Sequence, residues 1–240
     1  MVQARESTVG EIRKQLKALA NKQDAEHQAR YFKTGPGEYG EGDRFIGVRV
    51  PVLRKLARQH ASLPIIHNLQ LLQSRIHEHR LLALLILIQQ FQQGDESLQK
   101  KIYRTYLKHT NVINNWDLVD VSADKIVGAW LYHHPQDIAV LEKLARSRDL
   151  WRRRISMMAT LYFIRQGQYD LTLELATLLL TDKQDLIHKA SGWMIREVGK
   201  RDRKRAEDFL DRHIARMPRT MLRYAIEKFP SSLRQAYLKK

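Results

Sequence analysis

Apolar residues recur at spacings of three and four along almost the whole chain, which is the period of an amphipathic α-helix. Few segments alternate apolar and polar residues as a strand would. Prolines and glycines fall mostly at the edges of the periodic segments, where they start or stop helices. The pattern predicts helices over residues 5–21, 51–60, 64–75, 77–92, 95–107, 116–132, 136–147, 149–166, 169–181, 184–200, 203–214 and 217–229.

Several of the predicted helices begin alike, at intervals of about 35 to 38 residues, which is near the length of a helical-hairpin repeat. Short links between them favour antiparallel neighbours. We therefore predict an all-α fold, an α-solenoid of helical hairpins in which one helix of each pair lines a concave face. An irregular helical bundle would give a similar set of helices. The similar starts lie at Glu78, Trp116, Trp151, His188 and Arg219.

The segment over residues 33–50 breaks the helical pattern. Its glycine-rich part, Gly35–Asp43, lacks the Lys-Ser/Thr pair of a phosphate-binding P-loop and carries three acids that would repel phosphate. We predict a long loop or small hairpin here, with Pro51 at the first position of the next helix. The apolar residues expected to anchor the return of this loop are Phe45, Val48 and Val50.

The chain is strongly basic, with 42 Lys and Arg against 26 Asp and Glu, a formal net charge of +16. The excess runs through most of the sequence and does not form one tail. Dispersed cations favour a nucleic acid as partner, because each phosphate contact releases counterions. A solvated basic surface is the alternative. With 240 residues and 43% apolar content the chain can build a core, and we expect one domain over 1–240.

Two classes of location are disfavoured by the sequence. The longest apolar run, Leu81–Ile88, is far shorter than the roughly 20 residues that span a bilayer. The stretch Met1–Asn21 lacks the apolar core of a signal peptide. The absence of cysteine rules out disulfides and is compatible with a reducing compartment. We expect a soluble, cytoplasmic protein with no membrane contact.

The histidines do not show the spacing of a helical zinc site. We predict that they lie at the surface or at its boundary, and we expect no metal site. No serine lies in a nucleophile-elbow motif, and no pair of carboxylates has the contrasting environments that a glycosidase needs. The histidines considered include His77, His79, His133 and His134.

An indole and a carboxylate share one face of the helix predicted over 116–132. Trp116 and Asp120 lie four residues apart, and this pairing suits a cationic partner in an otherwise basic chain. Structural alternatives remain open: Trp116 could pack on Ile113, and Asp120 could pair with Lys125 or a basic neighbouring helix. We assign Asp117 to the helix start, where the macrodipole favours acids.

A second tryptophan, Trp193, lies on a cationic face of the helix predicted over 184–200. Its apolar stripe runs through Ile187, Ala190, Met194 and Val198, and Trp193 falls outside that stripe. A tryptophan among cations contacts a ligand more often than one in a core stripe, so we predict a functional role. The cations on its face are Lys189, Arg196 and Lys200.

Arginines at two further helix starts are candidate phosphate contacts. The run Arg152–Arg154 follows Trp151, and amides at a helix start together with arginine favour phosphate binding. Because the three guanidinium groups point in different directions, only one or two can face a common ligand. In the basic C-terminal stretch, Arg219, Arg223 and Lys228 are candidate contacts to a nucleic-acid backbone, although many such residues are simply solvated.

Five segments of the chain, given at the end of this paragraph in the order in which they occur, resemble the AlkD-like DNA alkylation repair glycosylases of the HEAT-like repeat superfamily. The resemblance covers about residue 10 to 230. The Trp-Asp-x-x-Asp and Gly-Trp-x-x-Arg-Glu segments are specific when they occur together. The segments are Ala29–Tyr31, Phe45–Pro51 with Arg54, Trp116–Asp120, Trp151–Arg154 and Lys189–Glu197.

The resemblance implies an enzyme of base excision repair that hydrolyses the N-glycosidic bond of N3- or N7-alkylated purines in duplex DNA, without a deep base-flipping pocket. It implies that Asp120 stabilises the oxocarbenium-like sugar and orients water, while Trp116 and Trp193 pack on that sugar. It implies no cofactor, and we expect a monomer. The DNA-binding residues that we predict on this basis are Arg154, Tyr31, Lys189, Arg196, Arg153 and Arg223.

The sequence departs from the family in two places. Where related proteins carry two adjacent phenylalanines ahead of the Gly-Trp segment, this chain has Asp185 and Leu186, and its Gly35–Asp43 loop is longer. Both changes affect regions expected to contact DNA. They keep open an alternative function, a noncatalytic or weakly active HEAT-like module that binds branched or damaged DNA. A protein scaffold is less well supported, because such solenoids need no cationic surface.

Overall fold

The computed structural model of the protein describes residues 8–239. Across this range helices follow one another and no strand forms, although an isolated bridge joins Arg44 to Ile76. The predicted all-α class is confirmed. The helices are α1 (Val9–Ala18), α2 (Lys22–Tyr31), α3 (Val50–Gln59), α4 (Ile65–Leu72), α5 (His77–Gln93), α6 (Glu96–Lys108), α7 (Trp116–Ala123), α8 (Ala129–His133), α9 (Ala139–Ala145), α10 (Leu150–Arg165), α11 (Asp170–Leu178), α12 (Asp185–Gly199), α13 (Arg203–His213), α14 (Arg219–Ala225) and α15 (Ser231–Lys239).

Each predicted helix has a counterpart, with ends displaced by a few residues. Of the helix predicted over 5–21, residues 5–7 lie outside the described range and the rest contains α1. The one predicted over 116–132 is interrupted by a π-helical turn, Asp124–Gly128, between α7 and α8. The apolar pattern does not predict α2, which buries no side chain, or α15, in which only Tyr237 is buried.

The described chain forms two compact units, which divide between Ser122 and Ala123. In the N-terminal unit α3, α4 and α6 pack against α5. The first twelve residues of α5 are buried on every side, which explains its continuous apolar run. A single HEAT-like domain over 1–240 stays a prediction. In the described range no helix is long and apolar enough to span a membrane.

The C-terminal unit is built of two helical layers, as the predicted solenoid requires. One layer contains α10, α12 and α14, of which α12 packs against both of the others. The second layer contains α9, α11 and α13, which pack beside the helices of the first. This repeated stacking buries one face of each helix against its neighbours. It leaves the solvent faces of the repeats available for binding.

Gly192 allows two helices of this unit to approach closely. A Cβ at this position would lie 2.4 Å from the carbonyl oxygen of Met221 and 2.6 Å from the Cβ of Tyr224, both on α14. No side chain fits there without moving one helix. The glycine that precedes Trp193 therefore serves helix packing, and it fixes α12 where it carries that tryptophan.

Substitution of Gly192 by Ala is expected to lower the free energy of unfolding by about 1–3 kcal/mol, the usual effect of overpacking. Gly10→Ala is the matched control, because the nearest heavy atom to its added Cβ is 3.8 Å away. This control should be neutral or stabilising by roughly 0.5–1 kcal/mol. Denaturant unfolding measures both values, and equal stability of the two variants would contradict the close approach.

The segment between α2 and α3 is a loop that the start of α5 holds in place. The buried carboxylate of Glu78 accepts hydrogen bonds from the backbone N–H groups of Ile46 (3.0 Å), Gly47 (2.7 Å) and Val48 (3.3 Å). Val48 is buried and Phe45 is half-buried, as predicted. The prediction for Val50 is wrong: its side chain is 43% exposed, because Val50 opens α3 on the solvent side.

Candidate functional site

The predicted indole and carboxylate lie together on α7. Trp116 is its first residue and Asp120 follows one turn later, and both side chains are partly exposed. The side-chain oxygen of buried Asn115 accepts a hydrogen bond from the Trp116 N–H at 2.8 Å. Asp117 lies in the first turn, as predicted. The helix start is thus fixed by local hydrogen bonding, and the helix geometry brings Trp116 and Asp120 to one face.

Aromatic rings from α2 and the following loop support Trp116. Its ring stacks on Phe32 with centroids 5.1 Å apart and an interplanar angle of 22°, and Phe32 stacks on Phe45 at 5.1 Å and 16°. Tyr31, which is 59% exposed, meets Trp116 edge to face at 5.9 Å. Ring pairs in these geometries contribute beyond the area they bury. The stack fixes one side of Trp116, and Tyr31 lies beside it at the surface.

Beneath this stack His77 joins two carboxylates. Its ring lies 4.5 Å from that of Phe45, and its side chain is 2% exposed. Nδ1 is 3.0 Å from a carboxylate oxygen of Asp43, and Nε2 is 2.8 Å from one of Asp117. His77 therefore connects the loop before α3 with the first turn of α7. It opens α5, so three segments of the N-terminal unit meet at this ring.

Asp43 is the most heavily bonded group of this buried cluster. Besides its contact with His77, it accepts hydrogen bonds from Arg80 at 2.6 Å and from the side-chain amide of Asn115 at 3.2 Å. Burial raises the pKa of the carboxyl, but His77 and Arg80 outweigh that effect and leave the pKa below its ordinary 3.8. The charges of His77 and Arg80 are balanced by those of Asp43 and Asp117, as burial requires.

The same contacts govern the protonation of His77. Burial disfavours the imidazolium, but hydrogen bonds to Asp117 and Asp43 prevail and raise its pKa from 6.5 to about 9. The neighbouring Arg80 acts in the opposite direction to those carboxylates. At neutral pH the ring is charged and donates from both nitrogens. A neutral ring could donate from only one of them, so protonation maintains the link between the loop and α7.

The raised pKa of His77 predicts a pH dependence of stability. A group with a raised folded-state pKa contributes stability that is complete below its unfolded value, 6.5, and is lost as the pH rises through about 9. We expect the Tm to fall between pH 6.5 and 9. In Asp117→Asn, which removes one carboxylate from His77, this fall should be smaller. Calorimetry across this range measures the effect, and parallel curves for the two proteins would contradict it.

Trp193 lies outside the apolar stripe of α12, as predicted. Ile187, Ala190, Met194 and Val198 are fully buried, whereas Trp193 is half-buried. Its indole N–H donates to Glu197 at 3.2 Å. Each of the two tryptophans thus has a carboxylate four residues further on. The sequence already places Glu197 four residues after Trp193. Because cations outnumber this acid around Trp193, a cationic face was predicted and Glu197 was missed.

Glu197 is an anion within the cationic face of α12. Burial raises the pKa of its carboxyl, but Lys200, Trp193 and Arg201 together keep it below the ordinary 4.5. Lys200 lies 2.6 Å and Arg201 3.4 Å from its carboxylate oxygens. The carboxylate near Trp193 is therefore balanced by neighbouring cations.

The predicted DNA contacts in the C-terminal unit differ in exposure. Arg154 is only 4% exposed, and its Nη1 donates to the carbonyl oxygen of Leu186 at 2.5 Å. Arg153 is half-buried and binds Asp182 at 2.6 Å. Arg223 is exposed on α14. Of these three predicted contacts Arg154 is thus the least exposed and Arg223 the most.

The two predicted cations beside Trp193 are engaged with acids. Lys189 pairs with Asp185 at 2.8 Å within α12, and the neighbouring basic residue Arg196 pairs with Glu227. Asp185, one of the departures from the related sequences, thus partly neutralises a predicted contact. Both cations, like the other predicted DNA contacts, stay predictions. To bind DNA, each of these cations would exchange its protein carboxylate for a backbone phosphate.

The prediction that histidines lie at or near the surface is wrong for His77 and His79, which are 2% and 5% exposed. His77 is buried because partners distant in sequence, Asp43 and Asp117, compensate its charge. His79 is buried in its neutral form, since burial lowers its pKa to about 4. Nothing in the local spacing of these histidines signals such partners.

Stacked helical repeats, a net charge of +16 and a partly exposed indole that shares a helix face with a carboxylate define a basic helical-repeat protein. A family model described as DNA alkylation repair enzyme matches residues 12–229. The chain belongs to this family. A search of curated protein sequences finds no significant match.

Solved structures share the fold at low sequence identity. The chain is similar to a structure described as a predicted DNA alkylation repair enzyme from Enterococcus faecalis, with a TM-score of 0.69 and 18% identity over 88% of this chain and 97% of that one. It is also similar to AlkD2 from Streptococcus mutans, with a TM-score of 0.56 and 14% identity over 93% of this chain and 97% of that one. These likenesses extend over most of each chain and support the helical-repeat fold.

Proposed function

We propose that the protein is an alkylpurine DNA glycosylase, which hydrolyses the N-glycosidic bond of N3- or N7-alkylated purines in duplex DNA. Membership of the DNA alkylation repair enzyme family supports a role in repair. The observation that carries the glycosylase proposal is the placement of Trp116 and Asp120 on one partly exposed face of α7. Such a pair is suited to a ligand that carries or develops positive charge.

The chemistry of the substrate matches that pair. Alkylation at N3 or N7 gives the purine a positive charge, so the base leaves as a neutral molecule without a strong general acid. As the bond from C1′ to nitrogen breaks, the positive charge moves to the sugar. The carboxylate of Asp120 stabilises this charge and orients a water molecule, whose oxygen bonds to C1′ and whose proton is released. The indole of Trp116 packs on the sugar.

The buried cluster beneath Trp116 supports this role by fixing α7 before the substrate binds. Trp116 is held by the Phe32 ring, and Asp117 by His77. A carboxylate positioned in advance stabilises developing charge without the cost of reorganising the site. Asp117 is engaged in this support. Asp120, which shares the partly exposed face of α7 with Trp116, is the carboxylate of the motif proposed to act on the sugar.

The remaining contacts are proposed by resemblance. Tyr31 lies beside Trp116 in the N-terminal unit, where its exposed ring can contact DNA. In the C-terminal unit, Trp193 is proposed to pack on the sugar of the lesion. The concave basic face, action as a monomer and a site without a deep base pocket are part of the same proposal. The C-terminal cations proposed to contact the DNA backbone are Arg153, Arg154, Lys189, Arg196 and Arg223.

Incubation of the purified protein with methylated duplex DNA, followed by chromatography of the released bases, tests the proposal. We expect 7-methylguanine or 3-methyladenine to be released well above the spontaneous rate, and no normal base to be released from undamaged DNA. Binding to the methylated duplex without release would contradict the enzyme and support the noncatalytic DNA-binding module.

A further inference from the structure

The solvent face of α6 carries a group of cations that the proposed reaction does not use. Lys100, Lys101, Arg104 and Lys108 are all exposed, and we call them the α6 cations. Helix α6 packs on α5 through its opposite side, where Ile102, Tyr103 and Tyr106 are buried. At 100° per residue, Lys101, Arg104 and Lys108 point directly away from that buried side, with Lys100 at the edge of the row.

None of the α6 cations has an ion-pair partner among residues 8–239. Cations on several other helices are neutralised by an acid one turn away. On α6 the acid Glu96 lies in the first turn, four residues before Lys100 and on a different side of the helix from Lys101, Arg104 and Lys108. The neutralised cations elsewhere include Arg146 with Glu142, Lys189 with Asp185 and Lys204 with Asp208.

The surface around these cations consists of hydrogen-bond donors. A shallow depression on α6 is lined by the four α6 cations together with the hydroxyl-bearing Ser97 and Thr105. Among residues 8–239, no carboxylate lines it. Lysine, arginine, serine and threonine are the side chains that contact phosphate oxygens in protein–DNA interfaces. A surface of this composition matches a phosphodiester backbone better than a ligand that needs both donors and acceptors.

We propose that the α6 cations form a second, sequence-independent contact for the DNA backbone, separate from the Trp116 and Asp120 face of α7. From Lys101 to Lys108 the row extends about 10 Å along the helix, at 1.5 Å per residue. A duplex offers about one negative charge per 1.7 Å of its axis, so roughly six phosphate charges lie within that length. The contact would hold the protein on undamaged DNA.

Salt-dependent binding to an unmodified 30-base-pair duplex tests this proposal. In K100Q/K101Q/R104Q/K108Q, fluorescence anisotropy should show weaker binding, by tenfold or more at about 100 mM salt. The slope of log affinity against log salt should become shallower by about 2 to 4, because each lost phosphate contact removes roughly 0.9.

The control K143Q/R146Q/K204Q/R212Q removes the same charge from exposed cations on α9, directly after α9 and on α13. Its slope should change by less than about 1. Equal slopes for the two variants, or an unchanged slope for the α6 variant with its fold verified by circular dichroism, would overturn the proposal.

The inference rests on the protein binding DNA but not on the glycosylase reaction. Base release at saturating protein should be unchanged in the α6 variant, and if even the wild type released no base, the binding result would still decide this question.

Discussion

Replacement of Asp120 by Asn is expected to lower the rate of release of alkylated purines by about 100-fold to 1,000-fold, the usual effect of losing one group that stabilises a developing charge. The amide keeps the shape of the carboxylate but cannot balance positive charge on the sugar. DNA binding should not weaken and could tighten by up to about threefold, because the substitution removes a negative charge that repels the phosphates. Single-turnover kinetics with saturating protein separate the two effects.

Asp170→Asn is the matched control for that variant. Asp170 is an exposed residue at the start of α11 and pairs with Arg205, so its substitution makes the same change in net charge away from α7. Its rate of base release should equal that of wild type. A wild-type rate in Asp120→Asn would remove the carboxylate from the proposed mechanism, whatever the behaviour of the control.

Truncation of Asp43 to Ala should have the largest effect on stability, a loss of about 3–5 kcal/mol in the free energy of unfolding. The side chain of Asp43 is 3% exposed and lies between two buried cations, His77 and Arg80. Without it, those cations and the amide of Asn115 lose their shared acceptor. We expect the start of α7 to loosen, so that base release falls as well, although Asp43 is not proposed to contact DNA.

Glu26→Ala provides the control for the loss of an acid, because Glu26 is exposed on α2 and its carboxylate is not part of the buried cluster. It should change the free energy of unfolding by less than about 0.5 kcal/mol. Urea denaturation of both variants measures the difference. Similar midpoints for Asp43→Ala and Glu26→Ala would show that the buried cluster does not stabilise the N-terminal unit.

The elements that the sequence predicts well are those whose own side chains form a core stripe. On α12 the spacing of Ile187, Ala190 and Met194 is enough to define the buried face, and it correctly excludes Trp193. By contrast α2 is stabilised by its Asn21 cap, whose side chain accepts from the N–H of Asp24, and by its position, with no buried residue of its own. A method that counts apolar spacing cannot detect such a helix.

The candidate site likewise has one part that the sequence predicts and another part that it does not predict. Trp116 and Asp120 are visible from local spacing, because one helical turn connects them. Their support is not visible, since His77 meets Asp43 and Asp117 across 34 and 40 residues of sequence. Phe32 and Phe45 likewise reach Trp116 and His77 only through the fold. Long-range pairing of buried charges is the part of this site that a single sequence does not reveal.

The central claim is that the α7 face carrying Trp116 and Asp120 hydrolyses the glycosidic bond of a cationic purine. The most direct test is single-turnover release of 7-methylguanine from a methylated duplex, measured on samples in which anisotropy shows the DNA to be fully bound. The proposal predicts release by the wild-type protein and a loss of at least about 100-fold in Asp120→Asn at equal occupancy. Full binding by both proteins with no release by either would contradict it.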